Sequence, residues 1–354
     1  MSPVSLNDHV VNAPGIIAAG FPAAAQDVIK VQTELVNLNV VVRDREGHRV
    51  SGLLKEDFEV FEDGSRQEIT HFRAEELPLR LVLVFDLSLS MEAVLPTVKQ
   101  GAFALLASLR QDDEVSVVAF ATDVRQFSGW IKKEQAKDII DKLEAEPHLQ
   151  PVTPTISRPG YRVGDTNTFL FEAFQHCFNQ IKSDDDRIAI IMFTDGVDTG
   201  AGRDVRNIKK RVDEIGKEVM RQAQESWGLV YPIRYKTEQI IGYLPPPGPR
   251  LFPNVGIQIG SAPADPRRGV FEKITAAGGG EIFDWTTRAD LLVAVGNVLA
   301  DLRSQYSLGY RPPPKDEAGF RRLKVRVKRP NLVVRTREGY INRQLGRPRR
   351  ATSP

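Results

Sequence analysis

Leu79-Arg80-Leu81-Val82-Leu83-Val84-Phe85-Asp86-Leu87-Ser88-Leu89-Ser90 is the stretch on which the reading of this 354-residue chain turns. From Leu79 to Phe85 it is apolar except at Arg80, without the alternation of a strand that shows one face to water. Such a run fits a parallel strand buried on both faces of its sheet. The next residues place Asp86, Ser88 and Ser90 at every second position, just where the strand should give way to a helix. In open α/β sheets the loops beyond the carboxyl ends of the strands form the ligand-binding edge. One carboxylate and two hydroxyls there can aim their oxygens at a common point, and hard oxygen donors suit Mg2+, Mn2+ or Ca2+ better than zinc. A plainer reading competes: serine caps helices well, and D-x-S-x-S is short enough to recur by chance.

Downstream, apolar positions at Val94, Val98, Phe103, Leu106 and Leu109 predict a helix. The pattern then predicts strand Val115–Ala121, a short strand near Val124–Phe127, a helix near Lys133–Leu143, a helix from Thr168 to Ile181 and strand Arg187–Phe193. From Asp204 to about Gln224, Val205, Ile208, Val212, Ile215 and Val219 recur at the spacing of one apolar helical stripe. Strand Leu229–Ile233, helix Val270–Ala277, strand Glu281–Phe283 and helix Ala289–Leu302 complete the series. Strands alternating with helices mean a Rossmann-like α/β domain, its mostly parallel central sheet covered by helices on both faces. Residues 147–165 and 245–266, rich in proline, interrupt the rhythm as long excursions, either functional or tolerated insertions.

Outside this domain the pattern is β. Val36, Leu38, Val40 and Val42 alternate, Asp44 to Gly47 reads as a turn, and Asp57 to Gln67 reads as a hairpin turning at Asp63-Gly64, with no helix in this opening. After Tyr310, Leu323, Val325 and Val327 alternate with Lys324, Arg326 and Lys328, and Val333 to Arg337 gives a further strand. The basic positions fit a solvated face whose cations discourage edge pairing better than a nucleic-acid patch. Each β segment is too short for a sheet of its own. The expected architecture is therefore an α/β domain at 78–305 inserted into a smaller β-sandwich made of 31–77 and 306–342, with a leader or signal remnant at 1–30 and a basic tail at 343–354.

Composition narrows the function. A net charge of +2 demands neither nucleic acid nor an anionic membrane as partner. The single cysteine, Cys177, excludes an internal disulfide framework and any multi-cysteine zinc site, and its apolar helical setting predicts a buried small hydrophobe. The five histidines are scattered without short metal-ligand spacing. No apolar run reaches the roughly 18 residues of a membrane-spanning helix. Ala23-Ala24-Ala25 before Gln26 fits a signal-peptidase site, whereas Met1 to Val10 lacks a cationic start. The expected location is extracytoplasmic or secreted, with the cytoplasm as the alternative.

Two segments join the first motif on the same sheet edge. Thr168 stands before Phe169-Leu170-Phe171-Glu172, and Thr194-Asp195-Gly196 follows an apolar strand. Each alone is an ordinary cap or turn; jointly they make an oxygen cage. These residues resemble the metal-ion-dependent adhesion site of von Willebrand factor A (VWA) domains, with Asp86, Ser88 and Ser90 as the D-x-S-x-S element, Thr168 as the threonine and Asp195 as the aspartate. The resemblance spans about Pro78 to Leu302. Asp57-Phe58-Glu59-Val60, Glu62-Asp63-Gly64, Arg303-Ser304-Gln305-Tyr306 and Leu308-Gly309-Tyr310 resemble flanking segments of a bacterial group of such proteins. Leu89 and Asn167 depart from the glycines frequent at those places, and Met91-Glu92-Ala93 lacks the acidic pair of a second, adjacent site.

The resemblance implies one divalent cation, Mg2+ before Mn2+ or Ca2+, bound directly by Ser88 and Ser90 and directly or through water by Asp86, Thr168 and Asp195. It implies a protein partner that presents Asp or Glu, in an adhesion or assembly module that is not an enzyme. The alternatives are a metal-dependent hydrolase on the same cage, which would need a general base that the motif does not evidently supply, and a metal-free scaffold. Gly278-Gly279-Gly280 lacks the Lys-Ser/Thr of a phosphate loop.

Overall fold

Alternation at the start of the chain makes β1 (Val36–Asp44), in which Val36, Leu38, Val40 and Val42 are buried. The computed structural model describes residues 35–74, 78–145, 168–181, 188–198, 205–226, 228–236, 266–313 and 318–342. The expectations for 1–30, 147–165, 245–265 and 343–354 lie outside the described residues. β2 (Phe58–Glu62) and β3 (Ser65–Gln67) follow as a hairpin, and its turn residues Asp63 and Gly64 both have positive φ, 48° and 84°. An Asp-Gly pair adopts that geometry at low cost, and it matches the twist of the two strands. One expectation fails here. The opening segment does hold a helical turn, a 3-10 turn at Lys55–Asp57 closed by the Leu54 N–H donating to Asp57 Oδ2 at 2.8 Å. β4 (Ile69–Arg73) ends the segment.

The α/β part runs through β5 (Arg80–Asp86), α1 (Leu95–Ala107), β6 (Glu114–Phe120), β7 (Val124–Gln126), α2 (Lys133–Asp141) and α3 (Leu170–Gln180). It continues with β8 (Ile188–Thr194), α4 (Val205–Glu225), β9 (Leu229–Tyr235), α5 (Pro266–Ala277), β10 (Phe283–Trp285) and α6 (Arg288–Arg303). The sheet order is β10-β9-β8-β5-β6-β7, parallel except for β7. β5 lies inside it, and its two faces feed different cores. Leu81, Leu83 and Phe85 pack with Val98 and Leu105 of α1, Ile140 of α2 and Leu291 and Val298 of α6. Val82 and Val84 pack with Phe174 and Cys177 of α3, Val219 of α4 and Ile274 of α5. Each buried aliphatic side chain of β5 contributes roughly 1.5–3 kcal/mol, which is why the run cannot alternate. Cys177 is fully buried, and burial pushes its thiol well above the usual range.

Several boundaries differ from expectation, α5 by four residues at its start, and two of them have a clear physical reason. Leu89–Val94 forms a 3-10 turn, and α1 begins at Leu95 with Pro96 in its first turn, where a missing N–H costs nothing. β10 begins at Phe283, two residues late, because the glycine run before it is a tight turn. Gly279 has φ 68°, and a Cβ on Gly280 would stand 1.5 Å from the Val230 carbonyl oxygen. The run is thus a helix stop packed against β9.

β11 (Tyr306–Tyr310), β12 (Gly319–Val327), β13 (Leu332–Arg335) and β14 (Gly339–Asn342) close the chain. They pair with the opening strands in two four-stranded sheets, β13-β1-β11-β4 and β14-β12-β2-β3. Leu38 faces Leu308 across the first and Val60 faces Val325 across the second, all antiparallel. Val36, Leu38, Val40, Phe58, Val60, Leu308, Tyr310, Leu323 and Val325 form one shared core. The α/β domain is therefore inserted into a β-sandwich built from both ends of the chain.

An arginine cluster fastens the two parts. Asp301 of α6 is completely buried. Arg43 of β1 donates to its Oδ2 at 2.6 Å, Arg49 donates to its Oδ1 at 2.8 Å, and Arg335 of β13 donates to Oδ2 as well. Arg43 and Arg335 also hold Glu281. Among the described residues no helix is long and apolar enough to cross a membrane.

Candidate metal centre

Because β5 is parallel to both β6 and β8, its last residue emerges at the carboxyl edge of the sheet between two other strand ends. Asp86 is that residue, and only 1% of it is exposed. Its carboxylate is held from both sides. The Ser88 N–H and the Ser88 Oγ donate to Oδ1 at 3.0 and 2.5 Å, and the Thr194 Oγ donates to Oδ2 at 2.7 Å. Ser88 Oγ also lies 3.1 Å from Ser90 Oγ. Ser88 occupies the N-cap position of the 3-10 turn, yet its side chain makes no cap hydrogen bond. The capping explanation of the motif therefore fails on geometry: the hydroxyl faces Asp86 and Ser90.

Asp195 follows the end of β8. The Val197 N–H donates to its Oδ1 at 3.0 Å, and Gly196 turns the chain with φ 77° where a Cβ would crowd Arg234 and Phe271. Thr168 is buried at the head of α3. Two backbone bonds hold that head on the same edge: the Phe169 N–H donates to the Ala121 carbonyl just past β6 at 3.0 Å, and the Phe171 N–H donates to Asp198 Oδ2 at 3.0 Å. So Asp86, Ser88 and Ser90 form one hydrogen-bonded group, Asp195 adjoins it, and Thr168 stands on the same rim.

Sequence reasoning missed two polar residues here. Thr194 was part of a quoted motif, but its bond to Asp86 spans 108 positions and has no local signature. Asp198 is buried and caps α3; its spacing from the other residues carries no warning of that. The histidine reading also needs a correction. Asp44, Glu46 and His48 cluster on the turn after β1, with His48 Nδ1 3.1 Å from Asp44 Oδ2. Exposed and self-bonded, this group is a turn stabiliser as it stands.

The electrostatics of the edge are unusual. Burial, and next the negative charge of Asp195, push the Asp86 carboxyl from 3.8 up to about 7, against the pull of its Ser88 and Thr194 donors. Among the described residues neither Asp86 nor Asp195 has a lysine or arginine in salt-bridge range. Two carboxylates and three hydroxyls thus share an edge on which, among the described residues, no cationic side chain pairs with either carboxylate. Hard oxygen donors with excess negative charge fit a hard divalent cation.

Residues 81–198 match the family model described as von Willebrand factor type A domain. The chain carries a von Willebrand factor type A domain. The match begins in β5 and ends at Asp198, so it contains all five predicted ligand positions. Comparison with the curated proteins finds no match. Among solved structures the VWA domain chain is similar to BatB from Bacteroides thetaiotaomicron, at 15% identity and TM-score 0.38 over 64% of this chain and all of that one. A von Willebrand factor type A protein from Catenulispora acidiphila is 11% identical, with TM-score 0.42 over 78% of this chain and 71% of the other. Proximal thread matrix protein 1 from the mussel byssus, with a zinc-occupied MIDAS motif, is 13% identical, with TM-score 0.40 over 69% of this chain and 50% of the other. Likenesses this distant decide nothing about the site, which rests on the family match and on the geometry above. VWA domains mediate protein–protein interaction, and most are not enzymes.

Proposed function

We propose that this protein is a cation-dependent protein-binding module. Asp86, Ser88, Ser90, Thr168 and Asp195 would hold one divalent cation, Mg2+ foremost and Mn2+ or Ca2+ next, at the carboxyl edge of the central sheet. A cation there supplies a Lewis-acidic vertex to which a partner's Asp or Glu carboxylate can bind. The protein's own residues do the rest. Ser88 and Thr194 orient the Asp86 carboxylate, Gly196 lets the chain turn so that Asp195 adjoins it, and Asp198 fixes the head of α3 that carries Thr168. In this reading residues 78–305 are the binding element and the sandwich of 31–77 with 306–342 is its mount. The observation that carries the proposal is a buried carboxyl beside a second carboxylate, neither of which pairs with a cationic side chain among the described residues.

Two carboxylates and three neutral hydroxyls predict weak to moderate affinity, which suits an extracytoplasmic protein. Titration calorimetry with Mg2+, Mn2+ and Ca2+ tests the site directly. We expect one site per chain, lost in Asp86→Ala; heat that is unchanged in that variant would overturn the assignment. A pull-down with and without EDTA tests the partner. Hydrolysis is the weaker reading, although a carboxyl poised near 7 suits a general base. Both Asp86 oxygens already accept hydrogen bonds, which leaves little freedom to take a substrate proton.

A further inference from the structure

The sequence reads the basic strand β12 as a solvated face whose cations discourage edge pairing. In the structure β12 pairs with β14 along 319–322 and with β2 along 323–327, one partner to each stretch. Its cations stand on the solvent face of that sheet. Leu323 and Val325 point into the sandwich core, while Phe320, Arg322, Lys324 and Arg326 are exposed on the other side. Alternate residues of a strand lie about 7 Å apart, so the three cations form an evenly spaced row. Phe61 of β2 lies opposite Lys324, and Ile341 of β14 lies opposite Phe320. A shallow depression joins Phe61, Phe320, Arg322, Lys324 and Arg326, and is also lined by Asp63 and Gly64.

This row differs from the arginines elsewhere. Arg43, Arg49, Arg303, Arg329 and Arg335 all hold carboxylates. Among the described residues Arg322 and Lys324 hold none, and Arg326 instead lies over the Phe61 ring at 5.1 Å. Glu59 stands opposite Arg326 but pairs with Arg66, and Asp63 pairs with Arg321, so the row keeps a cationic excess, which is complementary to a row of anions. An extended polypeptide repeats its side chains on one face at the same spacing as β12, so glutamates or aspartates at alternate positions would meet the cations one for one. The apolar pair Phe320 and Ile341 sits at one end of the row, where it can take an apolar residue of the same segment. Single-stranded nucleic acid fits less well, since it needs successive free rings for its bases. The ring inside the row, Phe61, is already covered by Arg326.

We propose that this face of the β14-β12-β2-β3 sheet docks an extended acidic segment of a partner protein, separately from the cation edge. The test uses fluorescein-labelled peptides of about twelve residues with glutamate and serine alternating after an amino-terminal leucine, read by anisotropy on the full chain in EDTA. A peptide of the same composition with its glutamates in one block, and an oligothymidylate of equal charge, are the comparison probes. The alternating peptide should bind best, and binding should be unaffected by Asp86→Ala. The combined variant Arg322→Glu, Lys324→Glu, Arg326→Glu should weaken it at least about tenfold. If that variant does not melt cooperatively, the matching triple change to glutamine carries the same expectation. Failure to bind in EDTA, equal binding of the block peptide, tighter oligothymidylate binding, or indifference to the triple variant would each overturn the proposal. Loss of cation binding in calorimetry would instead strike at the metal centre and leave this face untouched.

Discussion

Asp86 and Asp301 are both buried aspartates inside one domain, and the chain treats them in opposite ways. Asp301 is met by Arg43, Arg49 and Arg335, three fixed cations from the sandwich. Asp86 is met by two hydroxyls, one backbone N–H and, through space, a second carboxylate. Where a carboxylate fastens the two parts together, the protein brings its own counter-charge. Where it faces the carboxyl edge of the sheet, no cationic side chain among the described residues pairs with it, and under the proposed function the cost of that omission would favour binding of something positive.

Replacing each aspartate tests that contrast, and the largest effect belongs to Asp301. Asp301→Ala would take from three part-buried guanidinium groups the buried acid they share, leaving Arg43 and Arg335 only the more exposed Glu281, and we expect denaturant unfolding to show a loss of about 3–5 kcal/mol. Asp86→Asn should do the reverse in metal-free protein at pH 8: no loss of melting temperature, or a gain, because an unfavourable charge disappears. Cation affinity in that variant should fall by about 100-fold or more, given that even partners of a metal ligand cost about 10- to 100-fold. A melting temperature that drops equally in both variants would erase the distinction between the two aspartates.

Acidity offers a finer probe. The folded state raises the Asp86 carboxyl from 3.8 to about 7, so its protonated form is the one that folding favours. Its contribution to metal-free stability is complete below about pH 4 and fades as the pH rises through about 7. A cation competes with that proton, so affinity for Mg2+ should climb by up to about tenfold per pH unit below about 7 and then level off. Thermal shift with and without Mg2+ from pH 5 to 8 would show it; a pH-independent shift would mean that Asp86 is not a ligand. The smallest expected effect lies in the sandwich, where Glu62 accepts from the hydroxyls of Tyr310 at 2.6 Å and Tyr340 at 3.0 Å. Both phenols are held above their ordinary value, chiefly by burial. Stability from this pair is therefore present below about pH 10 and lost as the pH rises beyond it. Tyr340→Phe should cost about 1 kcal/mol, measured by urea unfolding at neutral pH.

What could be read in advance divides along the same line. The β5 run, the alternation of β1 and the Asp-Gly turn are local patterns, and each predicted its element. The hydrogen-bonded grouping of Asp86, Ser88 and Ser90 was legible because strand spacing and strand end fall together in one short stretch. The insertion was legible too, since two β segments that are each too short require one another. The fastening was not: Arg49 and Asp301 are 252 positions apart, and nothing near either residue announces the other. The same holds for Thr194 and Asp198, whose roles exist only once β5, β8 and α3 meet at one edge. The late start of β10 was hidden for a third reason, a backbone approach so close that only glycine fits at 280.

β4 and β11 lie side by side, with Arg73 opposite Ser307, and the whole α/β domain is spliced between those two ends. Topologically it is the loop of a hairpin. A graft that removes it and rejoins the strands with a short turn should therefore leave the sandwich closed. By the same token, an unrelated domain whose ends lie a strand's width apart could be seated there in its place.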